Sequence, residues 1–422
     1  MRWRTGYRGI IFAPPNANAP IDAIGPVKVE TGPRLTFELS EEQALVRDLV
    51  ARFVRDELMP LEREILQRET SGQDPSLLPA ELAKLDQKSR AQGLWALDAP
   101  EDLGGSNLPM STMVVVFEQM GRTITPYTLP PDSPNLRMLR ATVSDAQRRR
   151  YLEPYARGEA QSAIAISEPG AGSDPSRMIT RAVRYGDSWV LNGRKIWVSR
   201  AANADFTIVM AVTDRDKGTR GGISAFLVDR GTKGFEVLRR IPMIGGNITY
   251  EIALEDCRLH AESLLGREGG GFAPMQLRLS TRRLQMAAWC VGIAERALEI
   301  MCEHARQRVT FGVPLSERQA VQWWIADAAT RIHACRLMTQ DAAEKVDRGL
   351  EPRTEISMVK VYGTEMAWDV IDHAMQALGA MGMVKEMPLQ FLANKVRVMR
   401  IYEGPSEVHR WVVARNVLAA RG

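Results

Sequence analysis

"SWVLNGRKIWVS", residues 188–199, places apolar and aromatic residues on both sides of an Asn-Gly pair. Asn192-Gly193 supplies the positive φ angles of a type I′ turn, so the stretch predicts a strand, a tight turn and a second strand. Around it lie "FTIVMAVT" (206–213), "ISAFLVD" (223–229), "GFEVLRRI" (234–241) and "YEIALEDCRL" (250–259), short apolar runs parted by Gly-rich or charged turns. Residues 161–265 therefore read as a small β domain.

On either side the period changes from two to that of a helix. Ser40 and Gln43 form a capping box, and Leu45, Val46, Leu49, Val50, Phe53 and Val54 make one apolar stripe ending near Pro60. Further helical segments at 79–92, 109–123 and 145–157 make residues 37–160 all-helical. After "GREGGGF" (266–272), Leu284, Ala288, Val291, Ala294, Leu298, Met301 and Ala305 recur at helical spacing. Long helical segments follow at 316–349, 352–380 and 405–420, so residues 266–422 read as a helical bundle. Residues 1–36, rich in Pro, Gly and Asn, are expected to form a flexible extension.

Bulk composition excludes more than it selects. Hydrophobic residues at 45% and charged residues at 25% describe an ordinary globular chain. No run reaches the roughly 18 apolar residues of a membrane span, and a net charge of +4 over 422 residues does not call for nucleic acid. Cys257, Cys290, Cys302 and Cys335 form no C-x-x-C pair and no metal-like spacing with the histidines, which fits a reducing, cytoplasmic compartment without a metal site.

Four segments have a chemical reading beside a plain one. "SEPGAGSD" (167–174) is a loop whose backbone amides, with the Ser167 and Ser173 hydroxyls, suit a polar heterocycle or a thioester. In "RQRVTFGVPLSERQ" (306–319), Arg308 offers a guanidinium fork to a pyrophosphate, and Phe311 an apolar cover. "AMQALGAMGM" (374–383) ends a helix in small residues that let phosphates approach the backbone. In "RIYEGPSEVHR" (400–410), Gly404 is expected as N-cap, Pro405 as the first helical residue and Glu407 as the third. Read alone, Glu403 is a solvated acid ahead of that helix.

Taken together with "LNGRKIWVS", these segments resemble, in order and spacing, the acyl-CoA dehydrogenases, from about Leu35 to the C-terminus. The resemblance implies a multi-domain α+β fold: an N-terminal helical domain, a middle β-sandwich or barrel and a C-terminal four-helix bundle. It makes Glu403 the catalytic base, with Tyr402 and Gly404 lining the thioester. In some relatives the base comes from a helix position that is Arg282 here, which cannot accept a proton; the following Arg283 matches the arginine that steadies the base region and the substrate. Ile166, Ser167, Gly172, Ser173, Trp197 and Ser199 match residues facing the flavin ring of FAD or the substrate. Arg308, Phe311, Gln319, Gln376, Gly379 and Ala380 match those clasping the FAD diphosphate and adenosine across a subunit interface, and Glu407 is counted with the cofactor contacts. The chain departs from the family at Ala380, where a second Gly is common, and at Pro405, where Thr is common. "GPSEVHR" is similar to the branch containing acyl-CoA dehydrogenase family members ten and eleven.

The resemblance implies FAD-dependent α,β-dehydrogenation of an acyl-CoA to the trans-2-enoyl-CoA, with electrons passed to an electron-transferring flavoprotein, by a homodimer or homotetramer. A carboxylate base and a hydride-accepting flavin are what removal of two hydrogens from a saturated Cα–Cβ bond requires. Two rivals are a flavin oxidase or monooxygenase on the same fold, marked by peroxide or hydroxylated product, and a non-catalytic acyl-CoA-binding protein, marked by failure to take up FAD. Glu403 beside Tyr402 and Gly404 argues against the last.

Overall fold

The computed structural model describes residues 39–421; the expected extension at 1–36 lies outside them. Seven helices come first: α1 (Glu41–Phe53), α2 (Glu62–Thr70), α3 (Pro79–Ala91), α4 (Met110–Gly121), α5 (Ser133–Arg140), α6 (Asp145–Gln147) and α7 (Glu153–Arg157). The Ser40 capping box is present, with the Ser40 hydroxyl accepting from the Gln43 amide and the Gln43 side chain returning to the Ser40 N–H. The apolar faces of α1, α3 and α4 close on Leu284, Ala287 and Ala288 of α8, so this part of the chain and the last share a core.

The strands are β1 (Ser162–Ala165), β2 (Arg181–Tyr185), β3 (Ser188–Ser199), β4 (Phe206–Val212), β5 (Ile223–Asp229), β6 (Phe235–Pro242), β7 (Ile248–His260) and β8 (Leu264–Leu265). They join in the order β6-β7-β3-β2-β4-β5-β8, with β1 added parallel to β4. The sheet curls over itself: Leu191, Ile252 and Leu254 of β3 and β7 pack in one cluster with Val209 of β4 and Phe226 of β5, and the Trp189 and Phe226 rings meet edge to face at 5.2 Å. The opposite face of β4, through Phe206, Ile208 and Met210, packs under Tyr151, Leu152 and Tyr155 beside α7. Burial on both faces explains why β4 reads as an unbroken apolar run.

Residues 188–199 are not a hairpin. They form one strand, and the tight turn lies before it, at Gly186-Asp187, where Tyr185 pairs with Ser188. Pairing on both sides overrides the local turn preference. Arg181 of β2 faces Asn192, β7 runs along the other edge, and the Asn-Gly pair becomes a bulge where the β7 register slips between Leu191 and Gly193. Asn192 locks that bulge by accepting the Asp256 N–H at 2.8 Å. A Cβ at Gly193 would lie 2.3 Å from Thr180 Oγ1, so the glycine serves close approach.

The last part holds α8 (Phe272–Gln307), a two-residue-stranded hairpin of β9 (Val309–Thr310) and β10 (Val313–Pro314), then α9 (Gln319–Asp347), α10 (Arg353–Leu378), α11 (Pro388–Met399) and α12 (Ser406–Arg421). Helix α11 was not expected from the sequence. Its Leu389, Phe391, Leu392, Val396 and Met399 are buried against α8 and α10. Helix α12 starts at Ser406, one residue later than its Gly-Pro signal suggests, so Glu407 is its second residue.

Candidate active site

Glu403 lies in the turn between α11 and α12 with φ 58°, followed by Gly404 at φ 95°. A non-glycine residue there costs about 1–3 kcal/mol and persists only where its surroundings fix it. Three side chains do so. Arg283 Nε of α8 donates to the Glu403 carbonyl at 2.8 Å, His409 Nε2 of α12 donates to the same oxygen at 3.1 Å, and Lys360 Nζ of α10 donates to the Gly404 carbonyl at 2.6 Å. A carbonyl only accepts, so His409 carries its proton on Nε2. Burial, reinforced by Arg283 and Lys360, pulls the His409 pKa down to about 3 and keeps the ring neutral. Burial, then Arg283, pulls Lys360 down to about 8.

The Glu403 carboxylate accepts from Arg278 Nη1 at 2.5 Å, and both side chains are largely withdrawn from solvent. Arg278 is anchored in turn through Nε to Asn135 Oδ1 at 3.2 Å. Arg282, one helical turn on, is ion-paired with Asp132 and donates to Gln285 Oε1 at 2.5 Å. Burial opposes the Asp132 charge, but Arg282, Arg200 and Arg278 outweigh it and hold its pKa below the usual carboxylate range. Arg282 is thus committed to an acid from the segment before α5. Tyr402, Glu403, Gly404 and Arg283 are brought together; Arg278, Asp132, Lys360 and His409 complete the cluster and were not singled out from the sequence.

A second group sits at one end of the β sheet. Ile166 and Ser167, just after β1, lie beside the end of β3 that carries Trp197 and Ser199, joined to it by a backbone bond from Ile196 to Ser167. Trp197 has φ 63° and is half exposed, its indole turned outward where the β3–β7 register slips between Lys195 and Val198. Glu168 sets the loop. It accepts the amides of Ile179 at 2.7 Å and Thr180 at 2.9 Å, and Lys195 Nζ at 2.9 Å. Lys195 also donates to the Ile166 carbonyl at 3.0 Å, and the Ile196 amide to the Ser167 carbonyl at 3.0 Å. Burial brings Lys195 down to about 8 despite Glu168. Beyond this anchor Gly172 and Ser173 are exposed, and a Cβ built at Gly172 meets nothing within 4 Å.

A third group gathers at one end of the bundle. Arg308 follows α8, Phe311 tips the β9–β10 hairpin with φ 50°, and Gln319 starts α9. Arg318 Nη2 braces the hairpin by donating to the Thr310 carbonyl at 2.6 Å. Gln376, Gly379 and Ala380 lie where α10 ends, and Trp324 of α9 stacking on His373 of α10 at 5.2 Å ties these two helix ends together. Gly379 has φ 60° and open space at its Cβ position. Glu407 is exposed on α12.

Family models match nearly all the described chain: acyl-CoA dehydrogenase N-terminal domain over residues 40–159, middle domain over 163–257 and C-terminal domain over 269–418. The chain belongs to the acyl-CoA dehydrogenase family. It is 40% identical over 396 residues to (R)-benzylsuccinyl-CoA dehydrogenase of Thauera aromatica, covering 91% of this chain and 97% of that one. It is 33% identical to the caffeyl-CoA reductase-Etf complex subunit CarC of Acetobacterium woodii, over 90% of this chain and 99% of the relative. The solved structure of butyryl-CoA dehydrogenase from Megasphaera elsdenii superposes with a TM-score of 0.82 at 29% identity, covering 91% of this chain and all of that one.

Members of the acyl-CoA dehydrogenase family are oxidoreductases, and FAD is the cofactor. The residues present fit it. The half-exposed Trp197 indole and the Ser167 and Ser199 hydroxyls offer an apolar wall with polar edges, Gly172 and Gly379 leave room for close approach, and Arg308 is an exposed cation for a diphosphate. No described helix is long and apolar enough to cross a membrane.

Proposed function

We propose that this acyl-CoA dehydrogenase removes an α-proton and a β-hydride from a saturated acyl-CoA to give the trans-2-enoyl-CoA, with Glu403 as the base. The observation that carries the reading is the Glu403 turn: a carboxylate on a left-handed backbone fixed by Arg283, His409 and Lys360, none of which competes for its proton-accepting oxygens. FAD, when bound, supplies the acceptor for the β-hydride. Tyr402 and Gly404 line the thioester, and Ser173 lies on the loop that faces it. Ile166, Ser167, Gly172, Trp197 and Ser199 position the ring, while Arg308, Phe311, Gln319, Gln376, Gly379, Ala380 and Glu407 hold the far end of the cofactor. Ring stacking and a preset loop restrict approach geometry, which is what orientation contributes to rate.

The electron acceptor proposed is an electron-transferring flavoprotein, in keeping with a relative that is a subunit of an Etf complex. A homo-oligomer is also proposed. What supports it is Phe311, 99% exposed at the hairpin tip, with Trp411, Met381, Met383 and Ile401 also exposed in the C-terminal part of the chain, large apolar side chains that a second copy would cover.

The test is Glu403→Gln in the FAD-loaded protein, titrated anaerobically with acyl-CoAs. FAD and thioester binding are expected to persist while bleaching of the flavin is lost. A variant that bleaches at the wild-type rate removes Glu403 from the role.

A further inference from the structure

Accepting a proton changes the charge of Glu403, and the charges around it are unequal. Arg278, Arg282, Arg283 and Lys360 surround two acids, Glu403 and Asp132. Asp132 pairs directly with Arg282 and lies in the field of Arg200 and Arg278 as well. Arg283 and Lys360 point at the Glu403 and Gly404 carbonyls. Arg278, only 7% exposed, has one anionic partner, the Glu403 carboxylate.

Transfer of the α-proton to Glu403 breaks the Cα–H bond, leaves that electron pair to form the Cα–Cβ double bond as the β-hydride departs, and neutralises the carboxylate. Arg278, largely buried, then loses its one direct ion-pair partner and keeps only the more distant Asp132, which Arg282 already engages, a costly arrangement inside a protein. An uncharged acyl chain makes that cost part of the reaction. A chain bearing an anion beside Arg278 removes it.

Building on the dehydrogenase reading, we infer that the acyl group carries a second, free carboxylate that pairs with Arg278 and releases Glu403 for the α-proton. A guanidinium fork suits a carboxylate, and with Nε on Asn135 and Nη1 on Glu403, Nη2 of Arg278 has no partner among the described residues. In the same cluster Gln285 is fully buried, with its Oε1 held by Arg282 and its Nε2 unpartnered. Glu403 has to reach Cα while its neighbour Arg278 holds the carboxylate. The free carboxylate therefore sits on Cβ or Cγ, as in thioesters of substituted succinates or of glutarate. Arg278 is a specificity-determining residue.

The experiment uses the FAD-loaded full chain, anaerobically, with two pairs of thioesters whose members differ by one carboxylate on Cβ: methylsuccinyl-CoA against butyryl-CoA, and benzylsuccinyl-CoA against γ-phenylbutyryl-CoA. In wild type, kcat/KM for flavin reduction is expected to be at least about 100-fold higher for the carboxylated member, the scale of a buried charge pair. Arg278→Met is expected to bring that ratio near one, and Arg278→Lys, which keeps charge but loses the fork, to leave it between. If Arg278→Met does not accumulate folded, the wild-type ratio decides. A wild-type ratio near or below one, with the neutral thioesters reducing the flavin, overturns the substrate class and leaves the dehydrogenase reading standing. No reduction by any of the four overturns both.

Discussion

Replacing Gly404 by alanine tests whether the backbone turn, rather than the carboxylate alone, makes Glu403 a base. Gly404 has φ 95°, outside the comfortable range of an L-residue, and an alanine Cβ would lie 3.0 Å from His409 Nε2 and 3.7 Å from Arg283 Nη2. The left-handed backbone costs about 1–2 kcal/mol for a residue with a side chain. His409 cannot swing aside without giving up its bond to the Glu403 carbonyl, worth about 1 kcal/mol. The sum, about 2–3 kcal/mol, is less than the roughly 5–15 kcal/mol that keeps a domain folded. The turn is therefore expected to relax within a folded protein. A shift of about 1 Å in a reacting group lowers rates by roughly 100-fold, so anaerobic stopped-flow reduction should slow by that factor while FAD content stays full. Folded, FAD-replete Gly404→Ala that reduces its flavin within about threefold of wild type, well short of that factor, would mean that the turn does not set the position of the base.

Two further outcomes are expected. His409 is neutral in the fold with its pKa lowered to about 3 by burial, whereas the unfolded chain takes up a proton there near 6.5. Between those values the unfolded state binds more protons, so stability falls as pH drops through that window, by about 1.4 kcal/mol per unit at most. His409→Gln should flatten that acid limb in denaturant titrations at pH 6.5 and 4.5, and parallel profiles for the two proteins would sink the assignment. Gly193→Ala would drive a Cβ to 2.3 Å from Thr180 Oγ1 and 2.7 Å from Thr180 Cα, so it should destabilise by about 1–3 kcal/mol, as overpacking does. An unchanged melting temperature would contradict the bulge, since an exposed hairpin tip would accept the alanine more readily.

The change of period from helix to strand and back was legible because burial imposes it on every element. The same local reading failed at Asn192-Gly193, where a strong turn signal yields to hydrogen bonding along both edges of β3. Glu403 was legible only through four distant segments that share one chemistry. Of its supports Arg283 was legible through the same resemblance, while Arg278, Lys360 and His409 were not, because they come from three different helices and lie among buried neighbours. Lys360 falls on the buried face of α10 with Ile356, Gly363, Thr364 and Ala367, and Arg278 on that of α8 with Met275, Thr281 and Gln285. A lone cation on an otherwise buried helical face was the available signal. Asp132 carried none, standing before a short helix the sequence did not suggest.

The Lys195–Glu168 pair has a mechanical meaning. One ammonium joins the Ile166 carbonyl to the Glu168 carboxylate, and that carboxylate gathers the amides at Ile179 and Thr180. The loop bearing Ser167 and the strand end bearing Trp197 are thereby riveted at a single point, and neither drifts without the other. Because the opposite face of β4 packs under Tyr151 and Tyr155, and Gly245 lies against Lys395 of α11, the riveted rim is held to the helices at several places, and loosening the Lys195–Glu168 pair frees the loop before it frees the sheet.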